Sequence, residues 1–460
     1  IVNAPVKDFI PTDLPEPGFA DLAHLPGMQP ARFPLLRTIK FLSNPLGASR
    51  NLVEGHGRVF RRQDFGGWGV SLVGPEANEL VLFNRDKIFS SDLGWTPVLE
   101  LLFPRGLMLL DFEEHRIHRK TLSVAFKQEP MQHYFTQLEQ GIARGLAAWP
   151  KAKTFKFYPA IKALTLDLAA TSFLGVPWGP EADKINRSFV DMVNASVGIV
   201  RKPLPFTAMK KGVDGRAFMS AYFAREIPKR RGATGDDIFT QVCNARKEND
   251  ELLTSQDIID HMNFLMMAAH DTTTSSISSV TYFLAQYPEW QDRLREEIAG
   301  IRTRHGALSY AVLDEMPVLE MVFKEALRLV SPVPSMPRRA LKEFVFQNHV
   351  IPAGAHIGIN QMMTHRLPDH WPDPERFDPY RFTPENSKGR HKYAWVPFGG
   401  GAHMCLGLHF AYMQVKQFFF ALLESNRIVP AADFKGVEQD FRMFPIPKPK
   451  NGLPVRIEAL

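Results

Sequence analysis

The stretch Phe398-Gly399-Gly400-Gly401-Ala402-His403-Met404-Cys405-Leu406-Gly407 runs into an apolar, helix-favouring segment, Leu406 to Leu423. Three successive glycines let a backbone turn tightly and approach a ligand closely. A helix that begins beside the cysteine places unpaired amides and the positive end of a helix dipole near its sulfur. Such a position favours thiolate over thiol, and a thiolate serves as a metal ligand or a nucleophile. Taken alone, a free cysteine is more commonly a small, buried core residue. The remainder of the chain has to decide between these readings.

Composition narrows the choice. The chain has 460 residues, 45% hydrophobic and 23% charged, the balance of a globular protein with a large core. The net charge of +6 comes without a dense Lys/Arg tract, which argues against a nucleic-acid partner. A local basic patch for an acidic protein stays compatible with it. The two cysteines, Cys243 and Cys405, make neither a disulfide framework nor a multi-cysteine zinc site. They fit a reducing, cytoplasmic compartment. No apolar run reaches the roughly 18–20 residues of a membrane span; the longest are short, such as Phe418 to Leu423. The first residue is Ile1 rather than methionine, so a removed anchor or signal is left open.

Residues 1–34 are proline-rich and read as an extended arm, and residues 35–460 as one domain. A short helix is expected near Leu35 to Leu42, a hairpin over Arg58 to Val73 around Gly66-Gly67, and a helix from Pro75 to Asn84. Leu93 to Leu110, with Trp95, Phe103 and Met108, reads as a loop over the core. From 130 to 260 long amphipathic helices alternate with short breaks, one at Gly175-Val176-Pro177 and a proline-interrupted one after Arg201. Leu341 to Asn360 reads as short strands.

Three segments carry polar residues in patterns that a plain core does not need. Asp111 to Phe126 is predicted helical, with His115 and Arg119 four apart on one face. Two cationic donors there suit a carboxylate, although a solvated charged face has the same pattern. Residues 257 to 286 read as an apolar helix interrupted by His270-Asp271-Thr272-Thr273-Thr274-Ser275-Ser276. Hydroxyls bond back to the preceding turn and bend a helix, or Asp271 or Thr272 caps a new one. The alternative is an acid–alcohol pair facing a pocket, with small Ala268 and Ala269 leaving room for a ligand. Pro317 opens a further helix that carries Glu325 and Arg328 on one face, followed by Pro332, Pro334, Pro337 and Arg338.

The pattern Phe-x-x-Gly-x-His-x-Cys-x-Gly (Phe398, Gly401, His403, Cys405, Gly407) resembles the haem-ligand loop of the cytochrome P-450 superfamily, the haem-thiolate monooxygenases. The other segments are similar to that family and follow in its order: His115/Arg119, Ala-Ala-His-Asp-Thr-Thr (268–273), Glu325/Arg328, Arg338, and Arg381 within Phe377 to Phe382. The likeness spans about residues 35 to 458.

The resemblance implies a mainly α fold with small β-sheets and haem b held between the Thr272 helix and the Cys405 helix. It makes Cys405 the iron ligand. It makes His115, Arg119, Ala268, Arg338, Phe398, His403 and Gly407 haem contacts, with His403 meeting a propionate where an arginine is usual. Asp271 and Thr272 become the proton-delivering pair. Glu325, Arg328 and Arg381 form a structural network, with Arg381 preferred over Arg376. Trp95, Met108, Phe264, Ala268, Val333 and Phe444 are expected around an apolar substrate, terpenoid-, sterol- or fatty-acid-like. A short stretch, Pro205 to Gly212, is similar to the sterol- and retinoid-metabolising branch.

The expected reaction inserts one atom of dioxygen into that substrate. Electrons would come from a separate ferredoxin- or flavodoxin-type donor, because no cysteine cluster or appended Rossmann fingerprint is present. Arg116 and Lys120 are available to face it, and the chain is expected to act as a monomer. The rival readings are a haem-thiolate peroxygenase or isomerase, a non-catalytic haem sensor, and a Cys405 hydrolase. The acid–alcohol pair argues against the first two, and the Glu-x-x-Arg and propionate residues against the third.

Overall fold

The computed structural model describes residues 10–460 apart from 65, 66, 197 and 199. Its axis is an unbroken helix, Ser255–Gln286, capped by the Thr254 side chain. The hydroxyl cluster does not split it. Thr272, Thr274 and Ser276 hydroxyls donate to the carbonyls of Ala268, His270 and Thr272, four residues back. These three hydroxyls are thus satisfied within the turn, whereas the buried Ser275 hydroxyl has no partner among the described residues. This central helix packs against helices Phe157–Leu174, Pro317–Leu329 and Leu408–Leu423.

Two hydrophobic clusters flank the site. The larger is built by the helices. The smaller lies under a five-stranded sheet in the order Val59–Asp64, Gly67–Leu72, His356–Ile359, Met336–Ala340, Phe89–Ser90. Its one parallel pairing joins Gly67–Leu72 to His356–Ile359; the other neighbours are antiparallel. The hairpin expected at Gly66-Gly67 forms with Asp64 facing Gly67, and Gly66 itself lies outside the described residues. Gly94 lets the helix Ser91–Leu99 press on the sheet. A Cβ there would lie 2.6 Å from the Arg338 Cα.

Several boundaries differ from the sequence expectation for local reasons. Leu93 to Leu110 is not all loop, because Ser90 caps a helix through Leu99 despite Pro97. The helix expected over Asp111 to Phe126 ends at Leu122 and tightens into a 3-10 turn, Ser123–Phe126. The helix after the cysteine starts at Leu408, not Leu406, since Gly407 is its non-helical cap.

Behind the site, Glu325 and Arg328 are fully buried and paired through two contacts, 2.7 and 2.8 Å. Arg381 adds its Nε at 3.2 Å from the same carboxylate. Arg376, the competing arginine, contributes its carbonyl to Arg328 instead of its charge. Breaking such a pair leaves a buried charge unmatched and costs about 3–5 kcal/mol. His365 closes the layer: its Nε2 accepts from the Val396 amide and its Nδ1 donates to the Arg328 carbonyl. That fixes a neutral ring.

Burial, with Arg328 and Arg366 adding to it, lowers His365 from 6.5 to about 3. Burial likewise lowers His261 to about 3 and His270 to about 4. The unfolded chain takes up these protons first as pH falls, so stability is full above pH 6.5 and declines below it. Urea unfolding from pH 7 to 4 should show this decline. His365→Gln should flatten the slope by up to about 1.4 kcal/mol per pH unit. Parallel slopes for the two proteins would contradict the role of His365.

Candidate active site

The cysteine loop is shaped by two glycines rather than three. Gly399 (φ +71) and Gly401 (φ +62) are left-handed, whereas Gly400 is extended. Gly401 is doubly constrained, for a Cβ on it would lie 2.0 Å from the Leu82 carbonyl oxygen. The Phe398 carbonyl accepts the Cys405 amide at 2.9 Å, which closes the loop. The Phe398 ring stacks on Tyr412 of the following helix, centroids 5.7 Å apart.

Cys405 is exposed, yet protein crowds it so closely that burial is the main influence on its thiol. The two observations agree if the sulfur faces space inside the fold. Burial raises the thiol from its ordinary value, while the Gly407 amide and Arg119 pull the other way. The sequence expectation of a thiolate favoured by the helix start is therefore opposed by desolvation. A cation or metal is needed at the sulfur for the anion to prevail.

Basic side chains gather near the sulfur: His115, His403, buried Arg338 and half-buried Arg119. His115 and His403 stack at 3.8 Å between centroids. Burial, together with Arg119 and Arg338 among its neighbours, lowers His115 to about 3 and His403 well below 6.5. Arg338, 5% exposed, is lowered to about 10 by burial and held partly by Asp111. His115 Nε2 is buried with no hydrogen-bond partner among the described residues. Asp111 is already engaged, accepting from the Ser90 hydroxyl and, at 2.8 Å, from the Ser91 amide. It lies 3.9 Å from His403 Nε2. Two arginines facing one carboxylate, beside an orphaned imidazole nitrogen, suit an anionic ligand. A haem, with two carboxylates and an iron for the thiol, fits this donor set.

On the central helix, Met267, Ala268, Ala269 and Thr272 are half-buried although their surroundings are core. Asp271 points towards the helix Phe157–Leu174. Its Oδ1 is 3.5 Å from Lys162 Nζ and 3.1 Å from His270 Nδ1. Neither contact is aligned as a hydrogen bond, and Asp271 Oδ1 and both His270 ring nitrogens are otherwise unpartnered among the described residues. The carboxylate is thus poised between donors rather than locked by one.

The residues expected around a substrate are dispersed. Trp95 and Met108 are half-buried against the larger core. Phe264 is buried against Gly106, whose Cβ would lie 2.6 Å from the ring. Val333 packs on the smaller cluster, and Phe444 meets Phe41, centroids 6.3 Å apart. Asp111, Ser90 and Lys162 escape a reading of the sequence. Asp111 carries a helix-cap signal, but nothing local shows its pairing with Ser90 or its approach to Arg338.

Arg119 is half-buried and couples electrostatically to Cys405. Arg119→Leu should speed transfer of haem to an apo-globin acceptor by about ten-fold or more, the value of a lost charged hydrogen bond. An unchanged transfer rate would remove Arg119 from the haem contacts.

A family model described as Cytochrome P450 matches residues 26–454. "Putative cytochrome P450 136" of Mycobacterium tuberculosis is 37% identical over 393 residues, 84% of this chain and 79% of that protein. "Putative cytochrome P450 120" of Synechocystis sp. is 30% identical over 433 residues, 92% of this chain and 94% of that one. The structure titled "Retinoic acid bound cyanobacterial CYP120A1" superposes with a TM-score of 0.85 at 27% identity, covering 98% of this chain and 100% of that one.

Proposed function

The chain belongs to the cytochrome P450 family, and from that premise we propose how its own residues serve a haem b monooxygenase and what it oxidises. The family membership carries the general activity: one oxygen atom of dioxygen enters a substrate, and the other leaves as water with two electrons and two protons. When bound, haem b supplies the activation of dioxygen that no side chain can perform.

Cys405 would ligate the haem iron, in a loop shaped by Gly401 and closed on the Phe398 carbonyl. Arg119, Arg338, His115 and His403 would hold the two propionates, which is supported by the two arginines and the orphaned His115 Nε2. Asp111 keeps this array from being wholly cationic. Ala268 leaves space beside the reacting centre. Thr272 Oγ1 moves its proton towards the site after leaving the Ala268 carbonyl, and Asp271 Oδ1 replaces it from the Lys162 side.

What supports this reading is an accessible sulfur with basic residues near it, and an acid–alcohol pair on the central helix, which packs on the helix that follows Cys405. A sensor would need no proton pair. An apolar isoprenoid is the substrate class we favour. "Beta-amyrin 28-monooxygenase" of Solanum lycopersicum (29% identical) and "Taxane 10-beta-hydroxylase" of Taxus cuspidata (26% identical) are among the relatives, beside the retinoic acid complex. The apolar residues Trp95, Met108 and Phe264 are consistent with such a ligand. Electrons come from a separate donor of ferredoxin or flavodoxin type. No described helix is long and apolar enough to cross a membrane.

Thr272→Ala should bind haem normally, yet release most of the consumed electrons as hydrogen peroxide. Product formed per reduced donor should fall by about ten-fold or more. Product yield equal to that of the unaltered protein would take Thr272 out of the proton path.

A further inference from the structure

Arg116 and Lys120 are not free to meet a partner. They lie on the helix Phe112–Leu122, three residues before and one after Arg119, the residue coupled to Cys405. Both are exposed. Glu248 occupies the two together: its Oε1 lies 2.5 Å from Lys120 Nζ and 3.1 Å from Arg116 Nη1, and its Oε2 lies 2.9 Å from Arg116 Nη2. Glu113 takes the remaining edge of the Arg116 guanidinium at 2.6 and 2.9 Å. These contacts hold the Glu248 carboxyl down to about 2.

The segment that presents Glu248 is built for the purpose. Arg246 and Leu252 form an isolated antiparallel bridge, and the Lys247 amide donates to the Glu251 carbonyl at 2.8 Å. Asp250 turns the chain at φ +66, and Arg246 Nη1 donates to its carbonyl at 2.7 Å. The turn therefore carries its carboxylate preformed, with little ordering left to do. Exposed ion pairs give the fold little. Together with Glu113, Glu248 offsets two cations on the outside of the helix that carries His115 and Arg119. An acidic protein approaching this helix meets a neutralised patch.

We propose that the Arg246–Leu252 turn is an acidic latch, in which Glu248 occupies Arg116 and Lys120 and is displaced when an acidic electron donor docks there. The proposal rests on the reading above that a separate donor supplies the electrons. It adds that donor affinity is set by competition with a residue of this chain. A small acidic [2Fe–2S] ferredoxin is the probe, titrated calorimetrically into the haem-loaded protein at low and at high salt.

Glu248→Gln should tighten ferredoxin binding about two- to ten-fold at low salt, the worth of one or two released exposed pairs. The gain should shrink at high salt, where exposed charges are screened. In an Arg116→Gln/Lys120→Gln background the same change should have no effect, because the latch then holds nothing. The dithionite-reduced carbon monoxide spectrum should be identical in all variants, showing that the haem site is untouched.

Equal affinities for the unaltered protein and Glu248→Gln, including no binding by either, would overturn the latch. So would a Glu248 effect that survives loss of both cations. Haem reduction at saturating ferredoxin judges the donor reading separately. Reduction with unaltered affinities leaves that reading standing and removes the latch; tighter binding without reduction does the reverse.

Discussion

A left-handed glycine pressed against a carbonyl decides where the sulfur of this protein sits. Gly401 has no room for a Cβ against Leu82 and adopts a φ that side chains avoid. The loop is thereby fastened to the helix Pro75–Phe83, which itself packs into the sheet cluster. On the other side, Phe398 stacks on Tyr412 and ties the loop to the helix Leu408–Leu423. Cys405 is held between the two halves of the fold. Ligand geometry therefore depends on packing far from the ligand.

The charges obey one logic in two layers. In the buried layer behind the site, Glu325, Arg328 and Arg381 satisfy one another, with neighbouring carbonyls taking the remaining donors. In the inner layer, Arg119 and Arg338 face the single carboxylate of Asp111. Burial already drives both histidines neutral and depresses Arg338. A ligand carrying carboxylates would match the two arginines and the orphaned His115 nitrogen.

Much of this was legible in the sequence because it is written in local spacing. The i, i+4 spacing of His115 and Arg119, the i, i+3 spacing of Glu325 and Arg328, and the ordered glycines before Cys405 each fix a face or a turn. The fold class followed from the resemblance those motifs carry. What stayed illegible depends on neighbours distant in the chain. The hydroxyl run at 272–276 read equally as a break or a bent helix, since the answer lies in back-bonding to carbonyls one turn earlier. Lys162 lies about a hundred residues from Asp271, and Glu248 lies as far from Arg116; nothing local announces either pairing. The tilt of the Cys405 thiol towards its neutral form also came only from the structure, because desolvation there outweighs the helix end.

The account stands on Cys405 as the iron ligand, and the absorption spectrum of the reduced, carbon-monoxide-treated protein tests that most directly. The unaltered protein should show the strongly red-shifted Soret band of a thiolate-ligated haem, and Cys405→His should lose that shift. A histidine-type band from the unaltered protein, or no haem band after reconstitution, would contradict the account.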